Sequence, residues 1–343
     1  MGLGVVTAIA AAVMFGVSAP IIAWAGRGVF ATACLLYAGA ALVGHGARLV
    51  RRDRAFSLRR ADAPRLAAIA LAGAAIAPVL LVVGLEQAGA LTASLLLNLE
   101  AVFTVVLAVM IRREVIGRRI WVAVALMAGG GAALGLDAAA RGTGTMVGAA
   151  AVIGATLAWA LDNTLTQPLA ARRPFDVVAA KATLGATLTG ALALAFAEAW
   201  PGGTEVLVLI ACGATAYGLS LALYILAQRR IGAARTGSVF ALAPFIGALV
   251  AWLAGERALG GWALAALALF VAGVWLHLSE QHRHLHHHAA VAHDHPHRHD
   301  DGHHAHLHEP PVLGEHAHPH VHDALDHDHH HDHGDPLHAH DHP

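Results

Sequence analysis

The amino-acid sequence predicts an all-α integral membrane protein, with ten transmembrane helices arranged as two inverted five-helix repeats and a disordered histidine-rich tail. Three observations lead to this fold class. The chain of 343 residues is 57% hydrophobic and only 13% charged, long apolar runs recur along it, and a segment of the first half is echoed in the second. We place the first repeat at 1–139, the second at 140–280 and the tail at 281–343.

Apolar runs of membrane-spanning length define the predicted helices. A helix that crosses the hydrocarbon core needs roughly 20 mainly apolar residues, and the short connections between runs leave little room for soluble domains. The first run has no basic residues before it and no evident cleavage site after it, so we interpret it as a retained helix. The predicted spans are 3–24, 29–47, 65–85, 90–111, 118–136, 145–166, 175–197, 204–226, 233–254 and 258–278.

Lysine and arginine are unevenly distributed between alternate connections, and cytoplasmic loops are those that retain them. With the amino terminus inside, seventeen basic residues fall on the inner side and three on the outer side. The sequence therefore predicts a multi-pass protein of the cell inner (plasma) membrane with both termini in the cytoplasm. The inner residues are Arg48, Arg51, Arg52, Arg54, Arg59, Arg60, Arg65, Arg112, Arg113, Arg118, Arg119, Arg172, Arg173, Lys181, Arg229, Arg230 and Arg235.

The sequence lacks the motifs of several other classes of protein. It has no Gly-rich phosphate loop, no nucleophile elbow and no His-Glu-X-X-His helix, so we expect neither an enzyme nor an ATP-driven pump. Topology explains the basic loops, and we expect no nucleic-acid partner. Cys34 and Cys212 are isolated within predicted helices, which argues against a disulfide framework or a thiolate metal site.

An internal repeat relates the two halves of the membrane part. Residues 89–103 run into Glu114 and a further helix, and their echo, residues 232–245, runs into Glu256 and the last helix. The offset between the two stretches stays at 142 to 143 residues. Each half therefore holds five predicted helices, and because five is odd, the second half must cross the membrane in the opposite sense to the first.

The repeated pattern resembles a known family. Each half has a Gly-Ala-X-X-(Ala/Thr)-(Ser/Gly) segment, then an apolar helix with Glu-Ala or Ala-Pro at its middle and a Glu at its end. This pattern is similar to the EamA family of the drug/metabolite transporter superfamily over residues 3–278. The resemblance implies transport of a small solute, such as an amino acid, an amine or a nucleotide-related metabolite, often outward and in exchange for protons. Glu100-Ala101 departs from the Glu-Pro common at this position, whereas Pro244 keeps the proline of the second half.

Two ionisable residues lie within predicted membrane spans, where a charged side chain costs roughly 2.5 to 3.5 kcal/mol on insertion scales. Glu100 is near the centre of the fourth span, and Asp162 is in the sixth, toward its cytoplasmic end. Either carboxyl group could bind a proton or a cationic substrate and release it near neutral pH. Asn98 and Asn163 are the neighbouring candidate ligands, although membrane amides often serve only to link helices.

Other polar and helix-breaking residues are expected to shape the pathway. Glutamates at helix ends are interfacial, and we interpret them as boundary or gate residues: Glu86, Glu114 and Glu256. Prolines inside helices are expected to kink them and to free backbone carbonyl groups: Pro20, Pro78 and Pro244. Glycines are expected to permit close helix packing, including Gly129, Gly130, Gly131 and Gly247.

The tail concentrates 25 of the 27 histidines of the chain between His282 and Pro343. Imidazole suits zinc, nickel, cobalt and copper, so we expect divalent transition-metal binding there, with no cofactor required by the membrane part. The tail has few aliphatic residues, and we expect it to be disordered without metal. The candidate ligands are His286, His287, His288, His293, His295, His297, His299, His327, His329, His330, His331 and His333.

Three functions fit these features. In the first, the chain is a secondary transporter of a small metabolite in the lipid bilayer, coupled to protons, with a metal-binding regulatory or buffering tail. In the second, the substrate is a divalent metal ion that the tail collects at the inner mouth. In the third, the membrane part is an anchor for a metal store. The sequence also leaves open a homodimer and the direction of transport.

Overall fold

The computed structural model of the chain describes residues 2–51, 57–113, 116–169, 172–231, 233–256, 260–278, 285–288, 291–297, 316–322 and 325–328. Residues 1–280 form one compact unit and residues 281–343 form another. In the first unit the described residues are almost entirely helical, as the apolar composition predicts. In the second, four short strands are described.

The described residues of the first half of the membrane unit form eight α-helices. Two of the predicted spans are broken into shorter helices, and one is interrupted by a π-helical turn at Ala72–Ile76. The helices are α1 (Gly2–Gly16), α2 (Ser18–Ala25), α3 (Val29–Val50), α4 (Ala63–Leu71), α5 (Ala77–Ala88), α6 (Ala90–Leu96), α7 (Leu99–Arg112) and α8 (Arg118–Arg141).

The described residues of the second half form seven α-helices and show the same kinds of interruption. A π-helical turn at Gly213–Leu219 lies between α11 and α12. The helices are α9 (Thr143–Thr166), α10 (Pro174–Ala195), α11 (Gly203–Cys212), α12 (Ser220–Ile231), α13 (Ala233–Phe240), α14 (Ala243–Leu253) and α15 (Gly261–Leu278).

Among the described residues, eight helical stretches are long and apolar enough to cross a membrane, and they correspond to the first eight predicted spans. The expected count of ten is not confirmed by helix length. The ninth predicted span is divided at residues 241 and 242 into α13 and α14, and the tenth falls just short of the length of the others. The chain is therefore a multi-pass membrane protein with eight clear candidate spans.

The interruptions occur at matching places in the two halves. The π-helical turns lie near the middle of the third and eighth spans, and the fourth and ninth predicted spans are each broken at their middle, at residues 97–98 and 241–242. Pro78 follows the first π-helical turn and Pro244 follows the second break, as expected for residues that lack a backbone N–H. Pro20 likewise follows the break between α1 and α2.

Neighbouring helices approach each other closely at glycine residues. The helices α3 and α10, α8 and α15, and α5 and α9 lie along one another. A Cβ atom at Gly213 would be 1.9 Å from the Leu36 carbonyl oxygen, so α3 can cross the second π-helical turn only at a glycine. Gly247 and Gly131 are similarly confined, as expected, whereas a Cβ at Gly129 would meet only Leu269 at 3.7 Å.

The expected disorder of the tail is not confirmed, because four short strands are described in it. The strands are β1 (Leu285–His288), β2 (Val291–His297), β3 (His316–His322) and β4 (Leu325–Asp328), and β1 pairs with β4 and β2 with β3, both antiparallel. The prediction of disorder was based on the low aliphatic content of the tail. Strand pairing, however, can satisfy backbone N–H and C=O groups without an apolar core. Of the predicted ligands, His299, His329, His330, His331 and His333 lie outside the described residues.

Candidate functional site

Glu100 lies in the first turn of α7, immediately after the break in the fourth span. Every residue of α6 before the break is buried, whereas Glu100 is half-buried. At the break, the backbone N–H groups of Glu100 and Ala101 donate to the carbonyl oxygens of Leu97 and Asn98, at 3.1 and 3.3 Å. The carboxylate therefore sits at the amino-terminal end of a half-helix, where the helix dipole favours negative charge.

Asn98 supports the break itself. Its side chain is 4% exposed, and its Nδ2 donates to the carbonyl oxygen of Leu95 at 2.9 Å. That carbonyl belongs to the last turn of α6, where helical partners run out. The Asn98 side chain, one of the two predicted amide ligands, is therefore hydrogen-bonded to the backbone at the break.

Asn163 is the amide that reaches Glu100. Its Nδ2 donates to Glu100 Oε1 at 2.7 Å, and this hydrogen bond is exposed. It joins α7 of the first half to α9 of the second half. The structure therefore brings together two of the four predicted site residues in one exposed contact that crosses between the repeats.

Asp162 has a different partner, which the sequence analysis placed elsewhere. Its carboxylate forms a short ion pair with Lys181 Nζ of α10, and Thr166 Oγ1 donates to its other oxygen at 3.3 Å. The side chains of Asp162 and Lys181 are only 4% and 12% exposed. Counting Lys181 among the inner-loop charges was wrong, because it lies within the span Pro174–Ala195. Its place inside an apolar run was the available signal.

Gly73 makes room for this ion pair. A Cβ atom at residue 73 would lie 2.1 Å from Asp162 Oδ2, so no larger residue fits without displacing the carboxylate. The Gly73 carbonyl oxygen accepts hydrogen bonds from the Tyr37 hydroxyl and from Trp159 Nε1, the latter at 3.1 Å. In the π-helical turn the Ala77 N–H donates five residues back, to Ala72. The next donor in that register would be Pro78, which has none, so the Gly73 carbonyl is left for the side chains.

Six aromatic rings form a connected group, which we call the aromatic cluster. They come from α1, α3, α9, the second π-helical turn, α12 and α13: Phe15, Tyr37, Trp159, Tyr217, Tyr224 and Phe240. Adjacent ring centroids are 4.9 to 6.4 Å apart. Sequence analysis missed the cluster, because single aromatic residues in apolar helices carry no distinguishing pattern.

The hydroxyl group of Tyr217 lies beside the Ser18 side chain within the cluster. Tyr217 is 8% exposed, and its Oη forms no hydrogen bond of normal geometry with any described residue. Ser18 is the polar side chain beside it, but the Ser18 hydroxyl donates to the Phe15 carbonyl oxygen at 2.6 Å. A buried donor and acceptor is thus held among aromatic rings without an evident structural use.

On the side predicted to face outward, glutamate side chains cap the amino-terminal ends of helices. Glu256 accepts hydrogen bonds from the backbone N–H groups of Ala90 and Leu91, at 3.0 and 2.8 Å. Glu198, which the sequence analysis did not single out, does the same for the first turn of α3, at 3.1 and 2.9 Å. Glu256 is therefore a contact between the halves, as expected for a boundary residue, while Glu114 lies outside the described residues.

Arginines on the side predicted to face inward form ion pairs and are more than topological signals. Arg48 Nη1 is 2.6 Å from Asp176 Oδ1, and Arg172 Nε is 2.9 Å from Asp62 Oδ2. Asp176 also accepts a hydrogen bond from the Ser57 N–H at 2.6 Å. These contacts join α3 to α10 and the start of the third span to the loop before α10.

The comparisons with known proteins agree with this architecture. A model described as the EamA-like transporter family matches the chain twice, over residues 2–135 and 146–279. No curated protein matches. One solved structure, titled only as the crystal structure of a protein, covers 80% of this chain and 94% of its own, with 21% identity and a TM-score of 0.59. At that identity the likeness shows a shared fold.

Proposed function

Because the chain belongs to the EamA-like transporter family, we propose that it is a secondary active transporter that moves a small solute across the cell inner membrane. Transport proceeds by alternating access of two inverted halves around a site at Glu100. The observation that carries this proposal is the Asn163 to Glu100 hydrogen bond, which joins the halves at the break of a discontinuous helix. Discontinuous helices at a repeat interface are where secondary transporters bind their substrates.

The proposed topology has ten crossings. We treat α13 and α14 as one span broken at residues 241–242, like the fourth span at 97–98, and α15 as the last. Lys181 lies inside a span, so sixteen inner basic residues remain as topological signals, against three on the outer side. This asymmetry supports the proposal that both termini are in the cytoplasm.

We assign proton coupling to Glu100. Asp162 is compensated by Lys181, whereas the hydrogen-bond partner of Glu100 among the described residues is a neutral amide. A carboxyl group in low-dielectric surroundings without a cationic partner can exchange a proton at moderate energetic cost. The proton is therefore proposed to share Glu100 with the transported solute.

The divalent-metal alternative receives less support from the membrane part. Among the residues that the structure describes, in the membrane part and in the tail strands alike, no group of three or more His, Cys, Asp or Glu side chains is placed to hold a metal ion. Glu100 and Asp162 also have separate hydrogen-bond partners. We assign zinc, nickel, cobalt or copper binding to the tail because of its histidine content, as an accessory to transport.

The register of the tail strands supports that assignment. In the β2 and β3 pair, His293, His295 and His297 are opposite His320, His318 and His316. Alternate positions of a ladder share a face, so histidine donors from two distant segments are aligned. Zinc titrations of the full chain between pH 8 and 5 test it. Affinity is expected to fall below about pH 6.5, where protons compete for imidazole, and pH-independent binding would contradict histidine ligation.

Transport itself is tested with the purified chain in proteoliposomes containing a pH-sensitive dye. Separate additions of radiolabelled amino acids, amines, nickel and zinc measure solute uptake and proton movement together. We expect uptake of an organic solute that moves protons, loss of both in Glu100→Gln, and nickel and zinc uptake at the level of empty vesicles. Metal uptake that moves protons and depends on Glu100 would contradict the assignment of an organic substrate.

A further inference from the structure

We propose that the half-helix α6 is the outer gate of the transport pathway, and that its contact with Glu256 holds this gate closed. The inference rests on the proposed function, because it assigns one step of alternating access to one contact. Three observations on the described residues carry it: the contact between the halves, the interruptions of the chain on both sides of α6, and a buried hydroxyl group of α6 without a partner.

The contact of Glu256 with α6 joins the two halves of the chain. Glu256 follows α14, and its carboxylate accepts hydrogen bonds from the backbone N–H groups of Ala90 and Leu91, at 3.0 and 2.8 Å. These N–H groups are at the start of α6 and have no partner within the helix, so they bind a carboxylate well. Glu256 is itself exposed. The contact can therefore break, with water replacing each partner, while α6 stays helical.

The interruptions on both sides of α6 allow it to move as a unit. Gly89, immediately before it, has a φ of 80°, which favours glycine. After it, the break at residues 97–98 separates α6 from α7, and the Asn98 side chain donates to the Leu95 carbonyl oxygen in its last turn. A displacement of α6 therefore leaves the hydrogen bonds within α7 unchanged.

α6 occupies the outer half of the fourth span in the predicted topology, and Glu100 lies just beyond the break. Every residue of α6 is buried, including Ala90 at its outer end, which is 1% exposed. Movement of α6 away from α14 would thus open a path from the outer surface toward Glu100. The present arrangement corresponds to the closed gate.

A buried hydroxyl group lies where α6 packs on α14. A Cβ atom at Gly247 of α14 would lie 2.8 Å from Ser94 Oγ and 2.7 Å from the Gly16 carbonyl oxygen. Ser94 is 0% exposed, and its hydroxyl group has no hydrogen-bond partner among the described residues. Such a group destabilises the closed arrangement, and water would satisfy it on opening. The Glu256 contact therefore stabilises a closed gate that Ser94 disfavours, as expected of a contact that must open.

Glu198 makes the same kind of contact with a helix that is restrained at both ends. It accepts two backbone hydrogen bonds from the first turn of α3. That helix is continuous, lies along α10, and is joined to it near the inner end by the ion pair of Arg48 with Asp176. Loss of the Glu198 contact would loosen a helix end without moving α6. Glu198 is therefore the matched control for Glu256.

Cysteine accessibility from the outer face tests the proposal. The parent chain carries Thr92→Cys, at a position of α6 that is 3% exposed, with Cys34 and Cys212 replaced by alanine. A membrane-impermeant methanethiosulfonate reagent is added to spheroplasts that contain the full chain, and mass spectrometry gives the labelling rate. We expect Glu256→Gln to be labelled about tenfold faster than the parent, because loss of the charge weakens both hydrogen bonds. Labelling at the parent rate would overturn the proposal.

Two further variants of the parent assign the effect to the gate. Glu198→Gln is expected to be labelled at the parent rate, and acceleration equal to that of Glu256→Gln would overturn the assignment to α6. Ser94→Ala removes the unsatisfied hydroxyl group, so its labelling is expected to be about threefold slower. Labelling of Ser94→Ala at or above the parent rate would contradict the proposal, including in the case that Glu256→Gln does not fold.

The failure of this inference and the failure of transport are distinguishable, because labelling requires no substrate. Proton-coupled solute uptake in vesicles, without an effect of Glu256→Gln on labelling, would overturn the gate and leave the transporter standing. Faster labelling of Glu256→Gln without solute uptake by the wild type would support the gate and overturn the proposed transport.

Discussion

The regions around Glu100 and Asp162 contain the same functional group in similar apolar helices, yet their partners differ. Asp162 is buried against Lys181 and fitted to Gly73, whereas Glu100 lies at a helix break and is bonded only by the Asn163 amide. A carboxylate that is paired with a buried cation is held in place by that ion pair. A carboxylate whose partner is a neutral amide can still bind a proton or a cationic ligand. The comparison teaches that the partner, more than depth in the membrane, separates a structural acid from a functional one.

The largest expected effect on stability comes from Asp162→Asn. This change leaves the Lys181 ammonium group buried without a counter-charge, and breaking such a pair costs about 3–5 kcal/mol. Thermal unfolding in detergent should therefore show a much lower midpoint for this variant than for the wild type.

The double variant Asp162→Asn with Lys181→Met is the control for that prediction. Removing both charges eliminates the uncompensated ammonium group, so most of the lost stability should return. A single variant as stable as the wild type, or a double variant no better than the single one, would show that the pair does not hold α9 to α10.

A smaller effect is expected from Gly73→Ala. The added Cβ would lie 2.1 Å from Asp162 Oδ2, and overpacking of this kind typically costs about 1–3 kcal/mol. The matched control is Gly135→Ala in α8, where nothing lies within 4 Å of the new Cβ. The control should equal or exceed wild-type stability, because alanine favours helix over glycine. Equal unfolding midpoints for the two variants would indicate that Asp162 is not confined.

The smallest effect concerns Trp159→Phe, which removes one of the two donors to the Gly73 carbonyl oxygen. Tyr37 remains as a donor, so the expected loss is about 1 kcal/mol. Trp275→Phe, at a residue that is 66% exposed, serves as the control and should be neutral in unfolding experiments. A Trp159 variant that unfolds like the control would mean that the tyrosine alone fixes the π-helical turn.

The sequence was sufficient for features that depend on local pattern. Eight spans follow from apolar runs, three of the five described interruptions lie next to Pro20, Pro78 and Pro244, and Glu100 and Asp162 stand out as charges among apolar residues. These features are set within a single helix, where a residue and its near neighbours decide the outcome.

Features that depend on contact between distant helices were not predictable. Lys181 was assigned to a loop because charge near the end of an apolar run resembles a topological signal, and only the packing of α9 on α10 gives it a partner. The aromatic cluster draws one ring from each of six segments. The tail strands pair histidines about twenty residues or more apart, for which composition offers no register.

Chemical labelling of buried carboxyl groups tests the central difference most directly, without knowledge of the substrate. Dicyclohexylcarbodiimide adds to protonated carboxylic acids in apolar surroundings, and peptide mass spectrometry locates the adduct on the chain reconstituted in lipid. The account predicts labelling of Glu100, and an Asp162 that stays unlabelled because its carboxylate is engaged by the Lys181 ammonium group. Labelling of Asp162 as extensive as that of Glu100 would contradict the account.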